Sequence, residues 1–199
     1  TAPAPDLGAF MAPTAVTAVP ATDPAIEALR RLGAVDAPLV LELAVDLHCP
    51  HCAAAHGPLR EAIAEPLASG RVELVQRFIT RVSAPSGREL VRHVLAAEDR
   101  TQAGLLISLL LATPEGRGWS AVRPRVAELA DPAALERRLA GRAAAVDALL
   151  AADAQRLRAL RVRATPFALL TRRSGGELAR WDERAFDPRA IALAIAAER

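Results

Sequence analysis

The sequence predicts an α/β protein in which a block of helices interrupts a mixed β-sheet. Three observations lead to this prediction. Apolar residues 39–45 read as a buried strand, and a helical stretch and an alternating strand pattern at 71–79 follow them, which makes a βαβ unit with a parallel strand pair. Residues 86–162 are almost wholly helical in pattern. A strand, a hairpin turn at 174–176, a further strand and a final helix complete the chain.

The composition is that of a mainly helical domain with no nucleic-acid or membrane-spanning signature. The 199 residues are 52% hydrophobic and 3% aromatic, and their richness in Ala, Leu and Arg favours helix over strand. The net charge of +2 gives no reason to expect nucleic acid as a partner. No run of about 18 apolar residues is present, so no transmembrane segment is predicted. The first residue is Thr1 and not Met, which suggests that a signal, an anchor or an upstream domain was removed.

The predicted elements divide the chain into three parts. The first part is a flexible lead-in rich in Ala and Pro, with a possible short strand at 14–19 and one helix over 25–32. Asp23 as N-cap and Pro24 at the first helical position start that helix. The parts are the lead-in 1–35, the sheet domain 36–85 and 163–199, and the inserted helical subdomain 86–162.

Prolines predict where the helices break. The helix after the first strand should run over 49–68, with a kink near Pro58 and its end around Pro66, because proline removes a helical hydrogen bond and clashes with the preceding turn. Three or four helices are expected in the inserted block. Their breaks are predicted at 113–116, near Pro124 and at 131–132.

Both cysteines of the chain lie in one motif, Cys49-Pro50-His51-Cys52, shortly after the first predicted strand. Because a helix starts at the motif, unpaired backbone N–H groups and the helix dipole favour a thiolate at Cys49. Cys52 lies one helical turn further on, close enough to form or break a disulfide with Cys49. A single pair cannot staple a domain of this size, so the motif predicts redox chemistry.

The motif, the helical block and the later Thr165-Pro166 pair together resemble the DsbA family of thiol-disulfide oxidoreductases, within the thioredoxin superfamily. The resemblance covers roughly residues 36–199 and implies a thioredoxin fold with an inserted helical subdomain. In that family a cis proline lies beside the CxxC motif, and Pro166 occupies the matching place. Thr165 and Pro166 would line the groove that holds an extended substrate segment.

The resemblance also implies a role for each residue of the motif. Cys49 is the attacking cysteine, Cys52 is the buried resolving cysteine, and Pro50 suits the first turn of the helix. A protonated His51 adds a positive charge next to the thiolate. Since that charge stabilises the reduced protein, the Cys49–Cys52 disulfide is expected to act as a disulfide donor more than as a reductase.

The function expected from this resemblance is the introduction of disulfides into secreted proteins. The substrates are reduced client proteins or peptides, and the redox-active disulfide needs no organic cofactor or metal. A membrane redox partner of the DsbB or VKOR type would reoxidise the pair. We expect a monomer in the periplasm or another extracytoplasmic compartment of a bacterium, with the option of a tether through the removed N-terminus.

Two residues depart from the family's pattern. Family members often have an acid six residues before the first cysteine, where this chain has Leu43, and Glu42 lies one residue earlier on the opposite strand face. Either a small bulge in the strand turns Glu42 toward the cysteine pair, or proton transfer relies on water or another group. At Thr165 the strongest oxidants of the family commonly have Val, whereas Thr resembles the isomerase and reductase relatives.

Other interpretations of the cysteine pair stay open at this point. The protein could be a reductase or an isomerase of the same fold, or a binding or chaperone module in which the CxxC is inert. A structural disulfide is poorly motivated because so short a loop gains little stability. A metal site could use His48, His51 and His56, although no further cysteine is available for it. Otherwise His48 and His56 are expected on the rim of the active site, and His93 on a helix surface.

Overall fold

The computed structural model of the chain describes residues 22–80, 85–113 and 117–198. The strand predicted at 14–19 lies outside these ranges. In chain order the described elements are α1 (Pro24–Ala28), β1 (Arg31–Leu32), β2 (Leu39–Val45), α2 (Pro50–Ala62), α3 (Ala64–Ala68), β3 (Val72–Phe78), α4 (Pro85–Val94), α5 (Arg100–Leu111), α6 (Trp119–Val126), α7 (Pro132–Ala159), β4 (Phe167–Arg172), β5 (Glu177–Trp181) and α8 (Pro188–Ala197).

The strands form one mixed sheet in the order β1-β3-β2-β4-β5. At its centre, β2 pairs in parallel with β3, as the βαβ pattern predicts, and antiparallel with β4. β4 and β5 form the predicted hairpin, and its turn holds Gly175 and Gly176 at φ +108° and +96°, left-handed values that favour glycine. The helices α4 to α7 lie between β3 and β4 in the chain, so the predicted α/β fold with inserted helices is confirmed.

The helical stretch after β2 breaks at Ile63 and not at either proline. Pro58 lies inside α2, and Pro66 lies inside α3. A proline has no N–H to donate to the carbonyl four residues before it, and its ring clashes with that carbonyl. The residue four before Pro66 is Ala62, the last residue of α2. The kink predicted near Pro58 is therefore wrong, because the break lies one turn before Pro66, whereas the stretch ends at Ala68, the predicted limit.

The first helix is shorter than the sequence pattern predicts. The Asp23 side chain caps α1 by accepting the N–H of Ala25 at 2.8 Å, as expected, but the helix ends at Ala28. Residues 31–32, predicted as helix, form β1 and pair antiparallel with β3. Pairing with the sheet edge therefore overrides the local helical preference.

The inserted block contains α4, α5, α6 and α7. Asp131 caps α7, and Pro132 is its first residue, as predicted from the Asp-Pro pair. Pro124 lies inside α6, so the break predicted there is wrong. A break that was not predicted separates α4 from α5, where the Asp99 side chain accepts the N–H of Gln102 at 2.8 Å. In the described part of the chain, no helix is both long enough and apolar enough to cross a membrane.

The two faces of the sheet differ in chemistry, and β2 shows the difference. Leu41 and Leu43 belong to the main apolar core. Ala44 on the other face packs with Leu157 of α7, and the neighbouring Glu42 also points to that side. Charged side chains beside α7 form ion pairs there, and three of them, Arg30, Glu42 and Asp153, are buried. This group, the α7-side charge network, consists of Arg30, Glu42, Arg77, Asp153 and Arg156.

Candidate active site

The two cysteines lie where β2 leads into α2. Cys49 is the N-cap of α2, with extended backbone at φ −86° and ψ 118°, and Pro50 is the first helical residue. The Cys49 sulfur accepts the N–H of Cys52 at 3.4 Å, so one of the unpaired amides of the helix start is directed at this sulfur. Both cysteines are free thiols in this structure. Helix start and cysteine pair coincide as the sequence predicts.

The Thr165–Pro166 segment faces the thiols from the start of β4. The peptide bond between these two residues is cis. The Cys49 thiol donates to the carbonyl oxygen of Thr165 at 3.3 Å, although 116 residues separate them in the chain. Thr165 is 4% exposed, and its buried hydroxyl lies beside the Cys52 thiol, where it helps to lower the pKa of that thiol. The structure therefore brings the predicted substrate-groove residues and the predicted attacking cysteine together.

The two thiols differ in environment. Cys49 is 8% exposed and Cys52 is 3% exposed. Burial raises the pKa of Cys52 to about 12, hydrogen bonds from the Asp46 backbone and the Thr165 side chain partly oppose that rise, and the neighbouring Cys49 adds to it. Cys52 thus holds its proton firmly at neutral pH, and any reaction that uses its thiolate needs a way to move that proton.

His51, the third residue of the motif, points outward. Its side chain is 66% exposed, and its Nδ1 lies 2.8 Å from Oε1 of Glu183. Glu183 follows β5 and is 132 residues away in the chain, so no local pattern in the sequence pairs it with the motif. The carboxylate of Glu183 would therefore offset part of the effect that a positive charge on His51 has on Cys49. At this exposure the pair contributes little to stability.

The other histidines near the motif do not converge on one point. His48 Nε2 lies 3.4 Å from the carbonyl oxygen of Arg117, and His56 Nε2 lies 2.9 Å from the hydroxyl oxygen of Ser108. With His51 directed at Glu183, the three rings that a metal site would need have three separate partners.

The sequence predicts His93 on a helix surface, but the structure buries it. It is 6% exposed, and its ring stacks on that of Trp119, with 3.6 Å between the ring centroids. Its Nδ1 lies 2.9 Å from the carbonyl oxygen of Glu89. The surface prediction is therefore wrong, because α6 packs a tryptophan against this side of α4.

The acid near the motif lies on the face of the sheet away from the thiols. Leu43 pairs in register with Gln76 of β3 and Glu42 with Val75, without a bulge, so the expected alternative that a bulge brings Glu42 back is wrong. Glu42 bonds instead to Arg77 and Arg156 of the α7-side charge network. Its burial favours the neutral form, but these two guanidinium groups hold the pKa of Glu42 below its usual range.

The chain matches one protein-family model and resembles several solved structures. The family model described as Thioredoxin matches residues 27–183. A thioredoxin-like oxidoreductase from Silicibacter pomeroyi is 19% identical, with a TM-score of 0.68 over 84% of this chain and 89% of that one. Wolbachia pipientis alpha-DsbA1 is 14% identical, with a TM-score of 0.70 over 84% and 89%. Bacillus subtilis BdbD is 16% identical, with a TM-score of 0.66 over 89% and 96%. No curated protein matches the sequence.

Proposed function

This chain belongs to the thioredoxin family of thiol-disulfide oxidoreductases, and we propose that it introduces disulfides into client proteins through a Cys49–Cys52 disulfide. The observation that supports this best is the asymmetry of the two thiols. Cys49 caps a helix and lies against the cis Thr165–Pro166 segment, whereas Cys52 is buried behind it with a strongly raised pKa. An attacking sulfur and a resolving sulfur need these two different environments.

The proposed reaction begins with the Cys49–Cys52 disulfide and a client thiolate. The client sulfur attacks the sulfur of Cys49, the Cys49–Cys52 bond breaks, and its electron pair leaves on Cys52, which then takes a proton. A second client thiolate attacks the client sulfur of the mixed disulfide and releases Cys49 as a thiolate. The client gains one disulfide, and the enzyme leaves as a dithiol.

The Cys49 environment supports the donor direction of this reaction. The released Cys49 thiolate keeps the hydrogen bond from the Cys52 N–H at the positive end of the α2 dipole. Stabilising that thiolate stabilises the reduced enzyme and makes its disulfide a stronger oxidant. Pro50 is part of this arrangement because its ring starts the helix without adding a further unpaired N–H.

Client binding is proposed at the Thr165–Pro166 segment. In the disulfide form Cys49 has no thiol hydrogen, so the Thr165 carbonyl that accepts from Cys49 in the reduced form becomes available to a backbone N–H of an extended client segment. The remaining proposals follow from the family: reoxidation by a membrane redox partner of the DsbB or VKOR type, a periplasmic or other extracytoplasmic location, and a monomeric enzyme. No step of the reaction needs a metal or an organic cofactor.

A reductase or isomerase is the second candidate, and Thr165 is the residue that favours it. Its hydroxyl lies buried beside the thiols, where a valine would leave an apolar surface. The two candidates differ in assembly as well as in direction, because isomerases generally oligomerise to form a cleft for clients. Light scattering that finds a stable dimer or trimer would favour the isomerase.

Oxidation of a reduced, unfolded client tests the proposal. Cys49→Ala should abolish both client oxidation and insulin reduction, because the attacking sulfur is gone. Cys52→Ala should instead accumulate mixed disulfides with the client, visible as adducts in non-reducing gels and by mass spectrometry. Retained activity in Cys49→Ala would contradict the assignment. His48→Gln, which removes a histidine beside the motif without touching either sulfur, is the matched control.

A further inference from the structure

His56 shares a cavity with the resolving cysteine. It lies four residues after Cys52 on α2 and therefore on the same helix face. The two side chains line a cavity of about 10 Å³ together with apolar groups, among them Leu43 and Pro166. That volume is at the lower limit for one water molecule, about 10–15 Å³. Among the described residues in the cavity wall, Cys52 and His56 are the ionisable ones, and Leu43 stands where relatives often have an acid.

The other side of His56 opens into a polar cavity between α2, β3 and α5. This second cavity has a volume of about 250 Å³, and His56 is the residue that the two cavities share. The polar side chains in its wall include Arg60, Gln76, Arg100 and Ser108. Within the described residues, the buried Oε1 of Gln76 has no hydrogen-bond partner. A polar route therefore leads from the small cavity, through the imidazole, toward solvent.

The hydrogen bonds of His56 indicate which of its nitrogens can accept a proton. The Ser108 hydroxyl donates its one hydrogen to the carbonyl oxygen of Gly104 at 3.0 Å. Its oxygen is then left to accept from His56 Nε2 at 2.9 Å, and from these two hydrogen bonds we assign the proton of the neutral ring to Nε2. Nδ1 then keeps a free lone pair, and none of the described residues bonds to it.

The charges around His56 keep the ring neutral. Burial, and next the positive charge of Arg60, lower the pKa of His56 below its usual value. The charged or titratable groups that line the two cavities with it are Cys52 and Arg60 from α2 and Arg100 from α5, whereas the β2 and β3 residues there are uncharged. No carboxylate among the described residues faces the ring from these walls, so nothing on them favours the imidazolium.

We propose that His56 is the proton relay of Cys52, taking the place of the acid that this chain lacks at Leu43. The proposal rests on the thiol-disulfide exchange proposed above. When Cys52 attacks a mixed disulfide at Cys49, its thiol proton passes to Nδ1, directly or through one water, and Nε2 returns a proton to the solvent side. The new Cys49–Cys52 bond forms, and the bond to the client sulfur breaks with its electron pair on that sulfur. When Cys52 is the leaving group, the same proton moves in the opposite direction.

The test separates the two cysteines in time. The reduced full chain is mixed in a stopped-flow instrument with dithiobis(nitrobenzoate). One coloured nitrothiobenzoate ion is released when Cys49 forms the mixed disulfide, and a second when Cys52 displaces the remaining one. We expect His56→Gln to slow the second release by about 100-fold or more at pH 7, the range of a general-base contribution, and to leave the first release unchanged. His48→Gln should change neither release.

The pH dependence distinguishes a relay from a packing role. In the natural chain the second release should slow as the pH falls through the lowered pKa of His56 and stay level above it. In His56→Gln it should rise about tenfold per pH unit over the same range, because it then depends on the small thiolate fraction of Cys52. His56→Ala should recover speed on addition of free imidazole.

Two different results would contradict two different proposals. If His56→Gln and His56→Ala release the second ion as fast as the natural chain, with the same pH profile, the relay is wrong while the exchange function stands. If the first release also persists in Cys49→Ala, the proposed function itself is wrong. The unchanged first release in the His56 variants also serves as the check that they are folded.

Discussion

The two faces of the central strand show how this protein separates stability from chemistry. On one face, the buried Glu42 joins a network of charges beside α7. On the other, its neighbour Leu43 lines an apolar cavity with Cys52. Successive residues of a strand point to opposite faces, so a shift by one residue exchanges a carboxylate for a leucine beside the thiols. The thiol face therefore lacks an acid within β2, and we propose that His56 of α2 handles the proton of Cys52 instead.

The largest expected effect comes from breaking the charged face. Asp153 is 0% exposed and accepts hydrogen bonds from Arg30, Arg77 and the N–H of Phe78. Asp153→Asn removes the buried carboxylate between Arg30 and Arg77 and leaves Arg30 with only the partly exposed Glu27 as its counter-charge, so we expect a loss of about 3–5 kcal/mol in the free energy of unfolding. Urea titration followed by circular dichroism measures it.

An exposed ion pair provides the control for this variant. Asp147 pairs with Arg88 at 3.1 Å, and the two side chains are 39% and 52% exposed. Asp147→Asn should cost less than about 1 kcal/mol. Equal losses in the two variants would show that burial of the network does not matter.

Introducing an acid on the thiol face of β2 tests whether that face lacks only a proton acceptor. Leu43→Glu places a carboxyl group in the wall of the Cys52 cavity, where burial should raise its pKa and cost at least about 2 kcal/mol of stability. Combined with His56→Gln, it should restore part of the second release, about tenfold, because the carboxyl can accept the Cys52 proton. Leu43→Gln in the same background is the control of similar shape. Recovery in the Gln control would mean that polarity, and not proton transfer, limits the reaction.

Acid should weaken the charged face by a smaller amount. Burial favours the neutral form of Glu27, but hydrogen bonds from Arg31 and charge interaction with Arg30 outweigh it and lower the Glu27 pKa from 4.5 to about 2. Because the folded pKa lies below the unfolded one, this stabilisation is complete above about pH 4.5 and is lost as the pH falls toward 2. For this partly exposed group we expect about 1 kcal/mol. Thermal unfolding at pH 5 and pH 3 should differ less in Glu27→Gln, and an unchanged difference would exclude Glu27 as a source.

The smallest expected effect lies at the residue before the cis proline. Thr165→Val replaces a buried hydroxyl that makes no hydrogen bond of ordinary geometry and only a weak contact with the Cys52 thiol among the described residues, so it should raise the free energy of unfolding by up to about 1 kcal/mol. Thr171→Val should act in the opposite direction, since the Thr171 hydroxyl donates to the carbonyl oxygen of Val40 at 3.4 Å. A loss of stability in Thr165→Val would indicate that the hydroxyl has a partner in solution.

Local sequence signals predicted the elements that place the site. The strand at 39–45, the Asp-Pro starts of α1 and α7, and the helix start at the cysteine motif depend on residues close together in the chain. The Thr165–Pro166 pair came from the resemblance to a family, which supplies a long-range relation that periodicity cannot.

Features that depend on tertiary packing were beyond the sequence. Nothing local distinguishes residues 31–32 from the end of a helix, and only pairing with β3 makes them a strand. His93 is buried because Trp119 of another helix stacks on it. His56 looked like a rim residue, since its contact with Ser108 joins positions 52 residues apart. The spacing of four from Cys52 was the one signal that could have linked it to the resolving cysteine.

The redox potential of the Cys49–Cys52 pair is the most direct test of the proposed donor function. The purified chain is equilibrated with defined ratios of reduced and oxidised glutathione, and the oxidised fraction is counted by alkylation and mass spectrometry. We predict a potential above about −200 mV, toward the value of about −120 mV that is characteristic of strong disulfide donors. A potential near that of thioredoxin, about −270 mV, would contradict the donor function and indicate that the protein acts as a reductase.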